Sequence, residues 1–395
     1  MSVWRACATV AAAMFVSLTV QAATITVNSV ADDVFIDEFG ATFSDAAYSV
    51  PVSPAYCTLR MAISSANRDA VIGGCAAGSG SDTITFAVPA NSTITVAQVA
   101  MDPKPVSLPA GTAVSWLLFS TGNVVISGPG SALLTVNGGG LGVAAVGLRT
   151  LAFSNNDAVT DAPATISGVS FKEGRSVGGS GGCIFSRESL TLSDVRFEAC
   201  EAVGNAASTV GGGALAMSVV GAGDTRPNAA LSNVKFIGNR AVHGAAIAAN
   251  SSCCGAASFG SSTGFMGSVT ITDTQFIGNV GESIGALRIN NGSSATLTNT
   301  QFLSNAATAG NSGAFSISNM SGAVTMTGGA VVGNSASGRR GGGIIFTVGS
   351  GVTSGDAVAL SDVAFIGNVA GVEIGGLDIL TDTFGPGGGL PVRTA

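Results

Sequence analysis

The chain has 395 residues, of which 10% are charged, 46% are hydrophobic and 57 are glycine, with a net charge of -7. So little charge with so many apolar groups excludes a disordered chain, and the acidic balance excludes a nucleic-acid binder, which needs a basic footprint. A compact globular enzyme carries about 25% charged residues, so the abundance of small uncharged residues points instead to stacked β-rungs with tight turns.

In chain order, Arg5 precedes an apolar run from Ala6 to Val20, and Val20-Gln21-Ala22 places small residues at a cleavage position. Residues 1–22 therefore read as an export signal. An N-terminal membrane anchor is the alternative, but the run is short for the roughly 20 residues that a helical span needs. No later segment is long and apolar enough to cross a bilayer as a helix, so none is expected after signal removal. The acidic stretch Asp32, Asp33, Asp37 and Glu38 reads as a solvated loop, with calcium binding as its alternative.

Export changes how the cysteines are read. Cys7 leaves with the signal, and Cys57, Cys75, Cys183, Cys200, Cys253 and Cys254 remain. An even set in an exported chain favours disulfides over metal ligation. No C-x-x-C occurs and His243 is the only histidine, so zinc spacing is absent. The reading pairs Cys57 with Cys75. For Cys183 with Cys200, and for a vicinal Cys253–Cys254 bridge in a Gly/Ser-rich loop, free buried thiols are the alternative.

Tyr56 to Asn67 is the one convincing helix of the mature chain, apolar at Leu59, Ile63 and Ala66 on one face. Gly78-Ser79-Gly80-Ser81-Asp82-Thr83-Ile84 mimics half of a calcium-binding nonapeptide repeat, but such sites need several stacked copies. Asp82-Thr83-Ile84-Thr85-Phe86 follows as an alternating segment.

From residue 166 a motif recurs: an aliphatic residue, Ser or Thr, a small or acidic residue, two variable positions, Phe, two more, then Asn. It is seen in Ile166 to Phe171, Leu192 to Phe197, Leu231 to Asn239, Ile271 to Asn279, Leu297 to Asn305, Met326 to Asn334 and Leu360 to Asn368, with Val331 at the Phe position of one copy. Each copy precedes a second motif of Gly, small and aliphatic residues, such as Gly181-Gly182-Cys183-Ile184, Gly212-Gly213-Ala214-Leu215, Gly244-Ala245-Ala246-Ile247 and Gly285-Ala286-Leu287. Constant motifs at variable spacing place insertions in loops, and Ser251 to Gly267 reads as one. Within each copy the alternation has period 2, the pattern of strands. A single rung cannot bury its apolar face alone, so neighbours must stack.

Stacking about 4.8 Å apart makes structural ladders of Phe171, Phe197, Phe236, Phe276, Phe302 and Phe365, and of Asn239, Asn279, Asn305, Asn334 and Asn368. Each buried Phe is worth roughly 1.5–3 kcal/mol. The Gly-Gly motif marks a corner where a Cβ would clash. The position two after the aliphatic residue reads Gly168, Asp194, Asn233, Asp273, Asn299, Gly328, Asp362. No two neighbouring copies carry Asp there, an alternation that avoids stacked like charges. A carboxylate row for catalysis or calcium is the alternative.

The segment Cys57-Thr58-Leu59-Arg60-Met61-Ala62-Ile63, with Ala66-Asn67, Cys75 and Asp82-Thr83-Ile84, closely resembles the CSLREA-type domain. Thr58 stands where that family has Ser, and Met61 where it has Glu. The likeness continues through Ile126-Ser127-Gly128-Pro129-Gly130 and Leu133 to Val136. The later Phe-x-x-Asn and Gly-Gly motifs resemble the repeats of polymorphic outer-membrane proteins. This resemblance spans nearly the whole mature chain. It implies an all-β, right-handed parallel β-helix with a capping N-terminal unit, exported by bacteria and displayed or released.

A nucleophile–histidine pair has only His243 to draw on, and that residue reads as a loop or rim histidine. Glycosidic cleavage needs two carboxylates at a controlled separation, and Asp194 with Glu198, or Asp378 with Asp382, form no distinctive cluster. Gly341-Gly342-Gly343 lacks the Lys-Ser/Thr of a phosphate loop. No catalytic residue, cofactor or metal site is therefore expected. The expected organisation is a signal over 1–22, a cap with first strands over 23–110, β-helix repeats over 111–384 and a Gly/Pro-rich tail over 385–395. The expected function is a secreted or cell-surface protein that adheres to or interacts with an unidentified protein or glycan. Two rival readings are a carbohydrate-active β-helix enzyme and an autotransporter-like passenger lacking its translocator.

Overall fold

In each repeat the alternation of apolar with Ser or Thr residues folds as a parallel strand, because neither face of one rung can be buried without its neighbours. The structure is a computed structural model and describes residues 22–32, 55–96, 116–139, 149–155, 160–204, 210–218, 226–243, 254–260, 266–310, 312–337, 343–348, 358–371, 377–381 and 393–394. Among them the strands form three parallel sheets of 15, nine and seven strands. A rung runs from the long sheet through the seven-stranded sheet to the nine-stranded one. Leu190–Glu198, Glu201–Gly204 and Leu215–Met217 make one such rung, and Ala229–Ile237, Arg240–His243 and Ala257–Phe259 the next. The chain is a parallel β-helix.

Each long strand carries a built-in corner. In Leu190–Glu198 the buried positions are Leu190, Leu192, Val195 and Phe197, so the period of two slips by one residue around Asp194. That residue has φ 49°, and its equivalents Gly168, Asn233, Asp273, Asn299, Gly328 and Asp362 have φ between 49° and 67°. Only Gly, and less readily Asn and Asp, enter this left-handed region at low cost. Backbone geometry therefore selects Asp, Asn and Gly at this position, ahead of the charge repulsion expected from the sequence. Charge enters second, since Asn233 Nδ2 reaches Asp194 Oδ1 at 3.5 Å and Asn299 Nδ2 donates to Asp273 Oδ1 at 3.1 Å.

A second left-handed residue closes the strand just before the Asn position: Glu173, Ala199, Gly238, Gly278, Ser304, Gly333 and Gly367, with φ between 52° and 61°. A Cβ on Gly238 would meet nothing within 4 Å, so glycine serves there for its conformation and not for space. The Gly-Gly corners have the opposite cause. A Cβ on Gly213 would lie 2.3 Å from the carbonyl oxygen of Gly255, and one on Gly285 would lie 1.9 Å from that of Gly313.

The core is built from the ladders. Phe197, Phe236, Phe276 and Phe302 stack with centroids 4.9, 4.8 and 4.7 Å apart, and Phe171 joins Phe197 at 5.7 Å. Phe315 enters from the nine-stranded sheet against Phe302 at 4.6 Å, and one rung on the column carries the shorter Val331. Phe365 is in register with Val331 and half-buried against the core. In the Asn column, Asn279 donates from its backbone N and from Nδ2 to Asn305 Oδ1, both at 2.9 Å, and from Nδ2 to the carbonyl of Phe236 at 3.0 Å. Asn239, Asn305 and Asn334 repeat the pattern. Asn368 Nδ2 donates to the carbonyl of Val331 at 2.8 Å. At the other end the column finishes in Cys200, whose N–H donates to Asn239 Oδ1 at 2.9 Å and whose sulfur is bonded to Cys183.

The single helix among the described residues, Leu59–Arg68, is capped by the Thr58 hydroxyl, which accepts from Met61 N. It is buried from Leu59 to Ser65 and not on one face alone, because it plugs the end of the column beside Ile25 and Ile84. Cys57 and Cys75 are bonded across it. Arg60 is fully buried and forms a bidentate pair with Asp32 at 2.9 and 2.8 Å. Asp32 is thus the counter-ion of a core arginine and not part of a solvated loop. Asp33, Asp37 and Glu38 lie outside the described residues.

Three further expectations need correction. The corner of the rung after Asn239 is formed by Gly255 and Ala256, with Ala257 opposite Leu215. Gly244 to Ile247, expected to form it, lie outside the described residues. Ser251 to Gly267 is accordingly not a pure insertion, since it holds the strand Ala257–Phe259. His243 belongs to a strand, in register with Gly204, and not to a loop. Cys254 is buried and disulfide-bonded, while Cys253, its expected partner, lies outside the described residues.

Two substitutions test the left-handed position before the Asn column. Ala199→Gly relieves a left-handed alanine and should raise stability by about 0.5–1 kcal/mol, and Gly238→Ala should lower it by a similar amount. Asn305→Ala strands buried donors of Asn279 and the carbonyl of Phe276, and should cost about 3 kcal/mol or more. Denaturant midpoints of the full chain measure all three.

Candidate interaction surface

Because inward and outward residues alternate, the residue after each ladder Phe points away from the core. Those residues form a column in register: Lys172, Glu198, Ile237, Ile277, Leu303, Val332 and Ile366. It is charged for two rungs and aliphatic for five. On the seven-stranded sheet the column Arg175, Glu201, Arg240, Val280, Ala306, Ser335, Val369 changes in the same way. A third column reads Ser170, Arg196, Lys235, Gln275, Gln301, Ala330, Ala364. These columns are therefore charged over their N-terminal rungs and uncharged, partly aliphatic, over their C-terminal rungs.

The charged half is largely paired with itself. Arg175 Nε meets Glu201 Oε2 at 2.9 Å, with Arg240 at 4.0 Å from the same carboxylate. Arg196 meets Glu198 at 2.8 Å, and Lys172 reaches Glu173 at 3.5 Å and Glu198 at 4.0 Å. Such partly exposed pairs contribute little stability but neutralise the patch. The uncharged half is different. Ile237, Ile277, Leu303 and Val332 are partly exposed, and Ile366 and Val369 are 58% and 61% exposed. At about 4.8 Å per rung the five-residue aliphatic stripe is about 19 Å long. Gln275 and Gln301 flank it, their amides joined at 3.1 Å. On the other side of the corner, rows of hydroxyls run up the same sheet: Ser167, Ser193, Ser232, Thr272, Thr298, Thr327 and Ser361. A row of aliphatic groups beside rows of neutral hydrogen-bonding groups can bind another surface.

Two carboxylates of the corner column, Asp194 and Asp273, are held by hydrogen bonds. Asp194 accepts from Ser131 N and Oγ at 3.1 and 2.7 Å. Asp194 and Asp273 stand two rungs apart, about 10 Å along the column, with Asn233 between them. Among the described residues no group of three or more His, Cys, Asp or Glu side chains is arranged to hold a metal ion.

Away from this face, desolvation shifts three ionisable groups, the partly buried Arg149 and Arg288 and the buried Glu188. Arg149 rests 4.6 Å over the ring of Phe185 and donates to the carbonyl of Ser180. Burial, and then the nearby Arg187, pull its pKa down to about 10. Burial likewise lowers that of Arg288, which lies in register with Ser258 and Ser316. Glu188 is 2% exposed and accepts from the N–H groups of Asn155 and Ala162, both at 2.8 Å. Burial pushes its carboxyl above the usual range, against the opposing pull of those two N–H groups.

The ladder residues named from the sequence lie inside the column, and Cys57, Cys75 and Cys254 sit at the cap and in a corner. None reaches the outer face. The aliphatic stripe was not singled out in the sequence, although its signal is there: in the repeated Phe-Ile-Gly-Asn the Ile after an inward Phe must face outward. No family model, curated protein or solved structure matches the chain.

Glu188 supplies a pH test. A carboxyl whose pKa is raised by folding contributes its stability fully at pH below its unfolded value, and loses it as pH rises through its folded value. Stability should therefore fall between acid and neutral pH by an increment that Glu188→Gln removes. Urea unfolding across that range measures it.

Proposed function

We propose that the protein is an exported or surface-displayed β-helix that acts by binding and not by catalysis, with the C-terminal half of the long sheet's outer face as its contact surface. The observation that carries this reading is the stripe Ile237, Ile277, Leu303, Val332 and Ile366, kept aliphatic and partly exposed over five consecutive rungs. Scattered exposed apolar residues need no explanation, whereas a contiguous row marks a site of association. The stripe suits an apolar protein surface better than a glycan, since Tyr48 and Tyr56 are the only tyrosines and both precede the repeats. Disulfides at Cys57–Cys75 and Cys183–Cys200 fit an oxidising compartment. Among the described residues no helix is long and apolar enough to cross a membrane.

The test uses a double variant, Ile277→Lys with Leu303→Lys, both on the outer face. Binding to host-cell surface proteins should fall at least tenfold while the circular dichroism spectrum and melting temperature stay close to those of the parent. Undiminished binding by the variant would remove the stripe from the reading. Cleavage of a polysaccharide by the parent, without binding to cells, would favour the enzyme alternative.

A further inference from the structure

The first strand of the long sheet, Thr24–Val27, starts two residues after Ala22, the last residue of the sequence-predicted signal. Between them, the backbone nitrogen of Ala23 donates to Asp82 Oδ1 at 3.2 Å. Asp82 opens the neighbouring strand, Asp82–Phe86, and is 1% exposed. A second N–H, from Ser79, reaches the same oxygen at 2.7 Å. Both donors are neutral amides, and among the described residues no ion pair includes Asp82. The other buried acid of the cap, Asp32, has a full bidentate arginine. A carboxylate taken out of water with only neutral donors is under-compensated. Ala22, by contrast, is exposed, so the Ala22–Ala23 bond sits at the boundary between solvent and a buried anion.

We propose that hydrolysis of the Ala22–Ala23 bond completes the cap, because the freed α-ammonium of Ala23 becomes the counter-ion of the Asp82 carboxylate. The step is ordinary peptide hydrolysis. Water adds across the amide, Ala22 leaves with the new carboxylate, and the Ala23 nitrogen takes up a proton to become an ammonium. An N–H···O contact between amide and carboxylate becomes a charge-assisted one, roughly twice as strong. Before cleavage the first strand is held by neutral contacts, and after it the strand is locked by an ion pair. The inference rests on the export reading above, which supplies the endopeptidase.

Three forms of the processed chain, residues 23–395, test it: one with a free Ala23 amine, one Nα-acetylated, and one preceded by Gly-Ser. The free-amine form should melt about 2 °C or more above the other two, which should coincide. Ala22 is exposed, so an added residue there introduces no clash, and acetylation keeps the N–H while removing the charge. In Asp82→Asn the three forms should melt together. Acetic anhydride should label the Ala23 amine of the folded parent at least tenfold more slowly than in urea, a readout that does not depend on the variant folding. Equal melting of the three parent forms, or labelling at the unfolded rate, would overturn the ion pair. Intact mass of the protein exported by cells reads the cleavage separately. A start at Ala23 supports the proposal, a start elsewhere overturns its processing step, and absence of the chain from the exported fraction overturns the export reading, whatever the defined-terminus forms show.

Discussion

Parallel stacking puts the same atom of successive rungs about 4.8 Å apart, and that one spacing governs every other choice in the molecule. It is close to the separation of stacked aromatic rings, so Phe236, Phe276 and Phe302 pack nearly coplanar, tilted by 3° and 4°. It also lets one side-chain amide bridge to the next. An asparagine carries one carbonyl and two N–H bonds, and together with its backbone N–H it serves the rung on each side without leaving a group unpaired. The cost of any error is multiplied for the same reason, since a residue wrong for the column disturbs both its neighbours.

The two ends of such a column need different solutions. At the N-terminal end the Leu59–Arg68 helix covers the apolar interior, and the Arg60–Asp32 pair with the Cys57–Cys75 bridge fastens it. The Asn ladder ends at Cys200, where a disulfide to Cys183 takes over the corner. These two covalent bonds thus lie where repetition stops and no further amide is present to continue the hydrogen bonding, whereas Cys254 is bonded at a corner within the repeats. The buried charges follow the same logic. Arg60, Asp82 and Glu188 each lie at the cap or beside a loop, where the column offers no identical neighbour to satisfy them.

The inside of the column constrains its outside only through alternation. With Phe turned inward, the next residue must face solvent, but its chemistry is free to vary. That freedom appears as the change from Lys172 and Glu198 to Ile277, Leu303 and Val332 along one molecule with a single interior. A surface that varies while its scaffold repeats is suited to recognition, because contacts can be altered rung by rung without disturbing the core.

The repeat period, the inward Phe and Asn, and the single helix were legible in the sequence, because in-register stacking writes the same residues at every turn. The aliphatic stripe was equally present in Phe-Ile-Gly-Asn, but its meaning depends on which side of the strand is inside. Other features were decided only by the tertiary structure. Asp32 is 28 residues from Arg60, and nothing local marks it as a core partner. The corner at Gly255 displaced the closer match at Gly244 because register is set by the neighbouring rungs and not by the motif alone. The left-handed backbone at Asp194 and its equivalents explains a residue choice that charge alone had seemed to explain. Sequence periodicity determines what repeats, whereas the pairing of residues that do not repeat is decided by where the folded column brings them together.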